Sequence, residues 1–113
     1  MTMTSRERVE AALNHRTPDR TPMFEYVLLS PLADAFLGRI YAGDPDNWAV
    51  VLAEKGWEGA VRQDAIDRVE LAQLLGNDMI YAIPNPPPPG CEPPAWQPVS
   101  EDPVERLQER NAH

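Results

Sequence analysis

Two side chains able to do acid–base or binding chemistry stand together at Glu25 and Tyr26, and a polar amide follows much later at Asn85. A carboxylate such as Glu25 can act as general acid or base, or hold a cationic group. The one cysteine, Cys91, excludes an internal disulfide framework and has no basic neighbour to lower its pKa. His15 and His113 lie far from each other and from Cys91, so no zinc-type ligand spacing exists and no metal site is expected. His15 reads as a cap near a helix C-terminus. No Ser/His/Asp or Cys/His constellation and no phosphate-cradling glycine loop is present.

The elements that must position Glu25, Tyr26 and Asn85 follow from local signals. Thr4 and Glu7 have capping-box spacing ahead of a helix over about 5–14. Pro18 ends it, and Arg16–Arg20 reads as a turn. Pro22–Leu28 is the first strand candidate, ending near Glu25 and Tyr26. Ser30 and Pro31 predict a helix start, with Gly43 past the helix end. Asp46 or Asn47 caps a further segment stopped by Gly56. A longer helix over about 58–75 carries a stripe of Val61, Ala65, Val69, Ala72 and Leu75, and Gly76 is its C-cap.

Asp78–Ile83 is apolar enough for a strand buried on both faces, so helix, strand, helices, strand predicts a parallel βαβ unit. Nine of the 13 prolines fall between Pro84 and Pro103, which rules out helix or central strand there. Asp102–Pro103 restarts a short helix. Three regions follow: a βαβ part over 1–83, a proline-rich loop over 84–101, and a terminal helix over 102–113.

The net charge of −8 argues against nucleic acid or anionic membrane as partner. Arg6, Glu7, Arg8 and Glu10 interrupt any signal-peptide-like apolar stretch, and Trp48–Ala53 is far too short to span a bilayer. A soluble, cytoplasmic protein is expected.

The stretch from Ser5 to Pro22, with its Pro18-Asp19-Arg20-Thr21-Pro22 turn, resembles the start of the uroporphyrinogen decarboxylase (URO-D)-like family. Its methyltransferase-like branch is the nearer likeness. Leu74-Leu75-Gly76-Asn77-Asp78-Met79-Ile80 resembles that family's entry into its second strand. The resemblance implies an α/β fold, the N-terminal part of an incomplete (β/α)8 TIM-type barrel, with Glu25 and Asn85 as catalytic candidates and Tyr26 as a substrate contact at strand ends.

It also implies a parent activity in corrinoid (cobalamin)-type methyl transfer or, as a lyase of porphyrin biosynthesis, in porphyrinogen decarboxylation. Zinc and a corrinoid partner would belong to the parent, with no cofactor bound by this chain. In the decarboxylating members an aspartate stands where this chain has Asn85, and arginines follow the first strand where Glu25–Ala33 has none. Both departures point away from decarboxylation. Asp19 and Arg20 are expected to be structural, with Arg20 pinning the N-terminal helix. The chain is expected to be an inactive fragment alone, partnered by the remainder of a split barrel or by copies of itself. The alternative is a small protein-binding module using exposed strand edges and the proline-rich loop.

Overall fold

A computed structural model describes residues 2–26 and 28–112. Four helices succeed one another: α1 (Ser5–Leu13), α2 (Leu32–Leu37), α3 (Pro45–Leu75) and α4 (Pro103–Asn111). No strand occurs among the described residues, so the α/β assignment, the βαβ unit and the TIM-type barrel are all corrected: there is neither sheet nor barrel. The strand candidates 22–28 and 78–83 are irregular instead, with bends at Tyr26, Asp78 and Met79; Val27 lies outside the described residues.

The reason for that correction lies in how strands are stabilised. The two segments do lie side by side. Asp78 N–H donates to the Met23 carbonyl at 2.7 Å, and the Tyr26 and Tyr81 rings meet at 4.6 Å. Both pairs have the same offset, so the segments run in the same direction. Among the described residues that is their one backbone hydrogen bond. A lone parallel pair, without further strands or helices on both faces, cannot sustain a ladder.

Helix signals fare differently because they act within a turn or two. The Thr4–Glu7 capping box forms: Glu7 N–H donates to Thr4 Oγ1 at 3.2 Å, and Thr4 N–H donates to Glu7 Oε2 at 2.8 Å. Asp102 caps α4 ahead of Pro103. Gly76 ends α3 at φ 71°, a left-handed position that glycine adopts without penalty. Gly56, with φ 71° and ψ 174°, breaks α3 into two helical runs where a stop was expected.

Other ends shift. α2 stops at Gly38 rather than near Gly43, and α3 starts two or three residues early, capped by Asp44 with Pro45 in its first turn. Ser30 does not cap α2. Its backbone N–H and its hydroxyl both bond Asp44 Oδ2, at 2.8 and 2.9 Å.

The packed centre is small and joins α2 to α3. One cluster gathers Ala33, Leu37, Tyr41 and Leu71; a second gathers Ala42, Val51 and Ala60, with Trp48 and Leu52 against it. The α3 stripe also differs from expectation. The buried line is Ala60, Asp64, Asp67 and Leu71, while Ala65 and Val69 face solvent.

Two carboxylates can face inward because each is answered. Asp67, fully buried, accepts from Arg39 Nε and Nη2 at 3.0 and 2.7 Å, from Ala42 N–H at 2.9 Å and from Gln63 Nε2 at 2.7 Å. Asp64 accepts from Arg68 and Asn85. No buried side-chain nitrogen or oxygen among the described residues lacks a partner.

The rest of the chain is spread thinly. The radius of gyration is 18.7 Å, against about 13 Å for a compact domain of this length. The accessible surface is 8450 Å², where roughly 6200 Å² is typical for the mass. The proline-rich stretch accounts for part of this. Its start is tied to α3 by Trp57 Nε1, which donates to the Pro86 carbonyl at 2.8 Å, and by the Asn85 amide, which donates to Asp64 at 2.7 Å. α4 buries no residue.

Candidate functional site

Two constellations stand out around the paired segments 22–29 and 77–83: a closed ionic joint and an open apolar cleft.

The joint is built from the turn before the first segment, from α1 and from the residues after Gly76. Arg8, nearly buried on α1, reaches Asp19 through Nε at 2.6 Å, the Met3 carbonyl through Nη2 at 2.8 Å, and Asp78 through Nη1. Asp78, whose side chain is sealed from solvent, also accepts from Arg20 and from Met23 N–H at 3.0 Å. Arg20 Nη2 donates to the Gly76 carbonyl at 3.2 Å. Arg20 therefore pins the end of α3, and Arg8 is the residue that holds the N-terminal helix.

Hydrogen bonds from Arg8 and from Met3 N–H hold the Asp19 carboxyl well below the usual range. For Asp78, burial acts to raise the pKa, but the Met23 N–H and the Arg8 and Arg20 charges outweigh it and lower it. The same contacts push the Arg8 guanidinium up.

The cleft opens between the paired segments and the C-terminal half of α3, with a volume of about 150 Å³. Leu71, Ala72 and Leu75 form its α3 wall; Leu28, Ile80 and Ile83 face them. Glu25 and Tyr26 line it too, so the structure brings these two predicted residues together at one opening. Tyr26 is 65% exposed and tilts 54° against Tyr81 at its rim. The nearby Tyr26 phenol pushes the Tyr81 hydroxyl up.

Asn85 does not line the cleft. Its amide donates to Asp64 Oδ2 at 2.7 Å, and Asp64 Oδ1 takes Arg68 Nε at 2.8 Å. Arg68, which does line the cleft, also bonds the Tyr81 carbonyl at 3.0 Å and lies 6.0 Å from the centroid of the Tyr41 ring. Burial raises the Tyr41 hydroxyl, and the Arg68 charge opposes that only in part. Gly43 closes the back of this group: a Cβ there would overlap the Tyr41 ring and come within 2.8 Å of Asp64 Oδ1.

Sequence reasoning missed Tyr41, Asp64 and Arg68. The signal available for the last two was their i, i+4 spacing on one helix, a pairing that helices favour. Tyr41 offered none, since its place depends on the α2–α3 packing.

Other expectations sort quickly. His15 sits exposed just past α1 with φ 56°, and its backbone N–H, not its ring, bonds the Ala12 carbonyl. Cys91 is exposed. Among the described residues no three His, Cys, Asp or Glu side chains come together as metal ligands. No described helix is long and apolar enough to cross a membrane.

No family model matches the chain, and no curated protein or solved structure matches it either.

Proposed function

We propose that this chain is the N-terminal portion of a URO-D-like enzyme of the methyltransferase-like branch, cytoplasmic and without turnover by itself. The reading concerns kinship and role; it does not restore a barrel, which the described residues do not form. One observation carries it. Arg8, Asp19 and Arg20 of the first resembling motif and Asp78 of the second, some 60 residues apart in sequence, meet in one ionic joint. Side chains that make both motifs recognisable thus share one structural task, as expected of a single inherited unit.

The absence of arginine from Glu25–Ala33 and the engagement of Asn85 by Asp64 favour methyl transfer over porphyrinogen decarboxylation as the parent activity. Asn85 is an amide bound to a carboxylate, not a free negative charge that could face a cationic pyrrole. Glu25 keeps its candidacy as the acid–base group because it is exposed at the cleft.

The test is an activity assay with the purified chain, alone and co-expressed with the remaining portion of a URO-D-like methyltransferase. Activity should be absent alone and appear on co-expression, and Glu25→Gln should then lower it without abolishing assembly. Methyl transfer or decarboxylation by the chain alone would overturn the reading.

A second reading is favoured by the apolar surface. Phe24, Leu29, Ile80 and Ile83 are each about half exposed or more, and such patches mark interaction sites. In that reading the chain is a protein-binding module. The proline-rich stretch, anchored at Pro86 by Trp57, presents Pro87 and Pro89 to solvent.

A further inference from the structure

The cleft beside α3 has features that select one class of small ligand, independently of the family reading. Its volume, about 150 Å³, equals that of cavities known to hold a single benzene ring. Its walls are aliphatic, from Leu71, Ala72, Leu75 and Ile83, and the Tyr26–Tyr81 pair at the rim supplies aromatic faces for a ring to meet.

One polar handle reaches this apolar space. Arg68 commits Nε to Asp64 and Nη1 to the Tyr81 carbonyl, and Nη2 makes no hydrogen bond among the described residues. That leaves a donor, not an acceptor, on the side chain that lines the cleft. Its charge is already answered by Asp64 at 2.8 Å, and Glu25 stands at the opening. An anionic ligand would meet the Glu25 carboxylate and an arginine already paired with Asp64, so charge complementarity is missing. An uncharged oxygen acceptor suits Nη2 without that repulsion.

We propose that the cleft between Glu25, Tyr26, Leu28 and Leu29 on one side, residues 79–83 and α3 binds a small monocyclic aromatic molecule bearing one uncharged oxygen acceptor, with Arg68 Nη2 as its donor. The ring displaces water from the Leu71–Leu75 wall, and the oxygen accepts one of the two N–H groups of Nη2. Specificity comes from Arg68, because a polar group left unpaired in an apolar site discriminates strongly against ligands that lack its partner.

The test uses the full chain, labelled at leucine and alanine methyl groups, titrated with benzyl alcohol, toluene and benzoate and read by NMR. Benzyl alcohol should move the Leu71 and Ala72 methyl signals at millimolar concentration. Toluene should bind several-fold more weakly, and benzoate at least tenfold more weakly. Filling the cleft by Ala72→Leu, or independently by Leu75→Phe, should remove the benzyl alcohol response while circular dichroism stays unchanged. If one of these variants unfolds, the other and the order of the three probes still decide. Shifts confined to other methyl groups, equal or tighter binding of benzoate, or an undiminished response in a folded filled variant would each overturn the proposal.

Discussion

The ionic joint and the apolar cleft share the same two irregular segments, yet one is closed and the other open. At the joint, Asp78 is sealed and every charged group finds a partner on another part of the chain. Two residues later Ile80 is half exposed, and Tyr26, opposite Tyr81, stands mostly in solvent. The segments are thus fastened at one end and left unpaired along their length. Directed polar contacts can hold a junction between short elements; they cannot replace the apolar burial that would close a cleft.

The contrast requires substitutions on the closed side to cost far more than those at the opening. The largest effect is expected inside the α2–α3 body, where the same fastening principle operates. Asp67→Ala strips acceptors from the buried Ala42 N–H and from Arg39, and should cost about 3 kcal/mol, the scale for breaking a buried pair. A thermal melt by circular dichroism reads this as a fall of roughly 10 °C or more. A shift of only a degree or two would mean that the body is not cooperatively held.

The joint should announce itself through pH. Asp19 and Asp78 have carboxyls held below their ordinary range in the folded chain. Groups depressed in this way add stability that is fully present above the unfolded carboxylate pKa, about 4, and is lost as pH falls below it. Melting temperature should therefore stay level near neutrality and drop in acid. Asp78→Asn should lower the plateau and flatten the acid limb, and an unchanged acid limb would remove the joint from the account.

The smallest effects belong to the opening. Tyr26→Ser and Ile83→Ser should each stay within about 0.5 kcal/mol of the parent chain, as for other exposed positions. A loss above 1 kcal/mol in urea unfolding would show that the cleft is closed in solution and would break the comparison.

Much of the helical structure is legible in the sequence, but only half of the site is. Glu25 and Tyr26 emerge from their position at the end of an apolar run, and both do line the cleft. Asn85 emerges only by likeness, and the structure places its amide on Asp64, away from the opening. Arg68 escaped notice because an arginine flanked by Asp64 and Asp67 on a helix reads as a solvated surface charge. Its burial comes from Tyr41 and Tyr81, which no local pattern links to it.

What the sequence determined by itself is whatever is settled within a turn or two of backbone. The Thr4–Glu7 box, the Asp102–Pro103 start, and the stops at Gly56 and Gly76 depend on side chains and φ angles that act on their immediate neighbours. Tertiary structure decided the rest. Residues 22–28 and 78–83 have the composition of strands, but a strand exists only through partners, and here each meets only the other. Asp64 and Asp67 look like surface charges until Arg39, Ala42 and Asn85 arrive from 20 or more residues away to pay their desolvation.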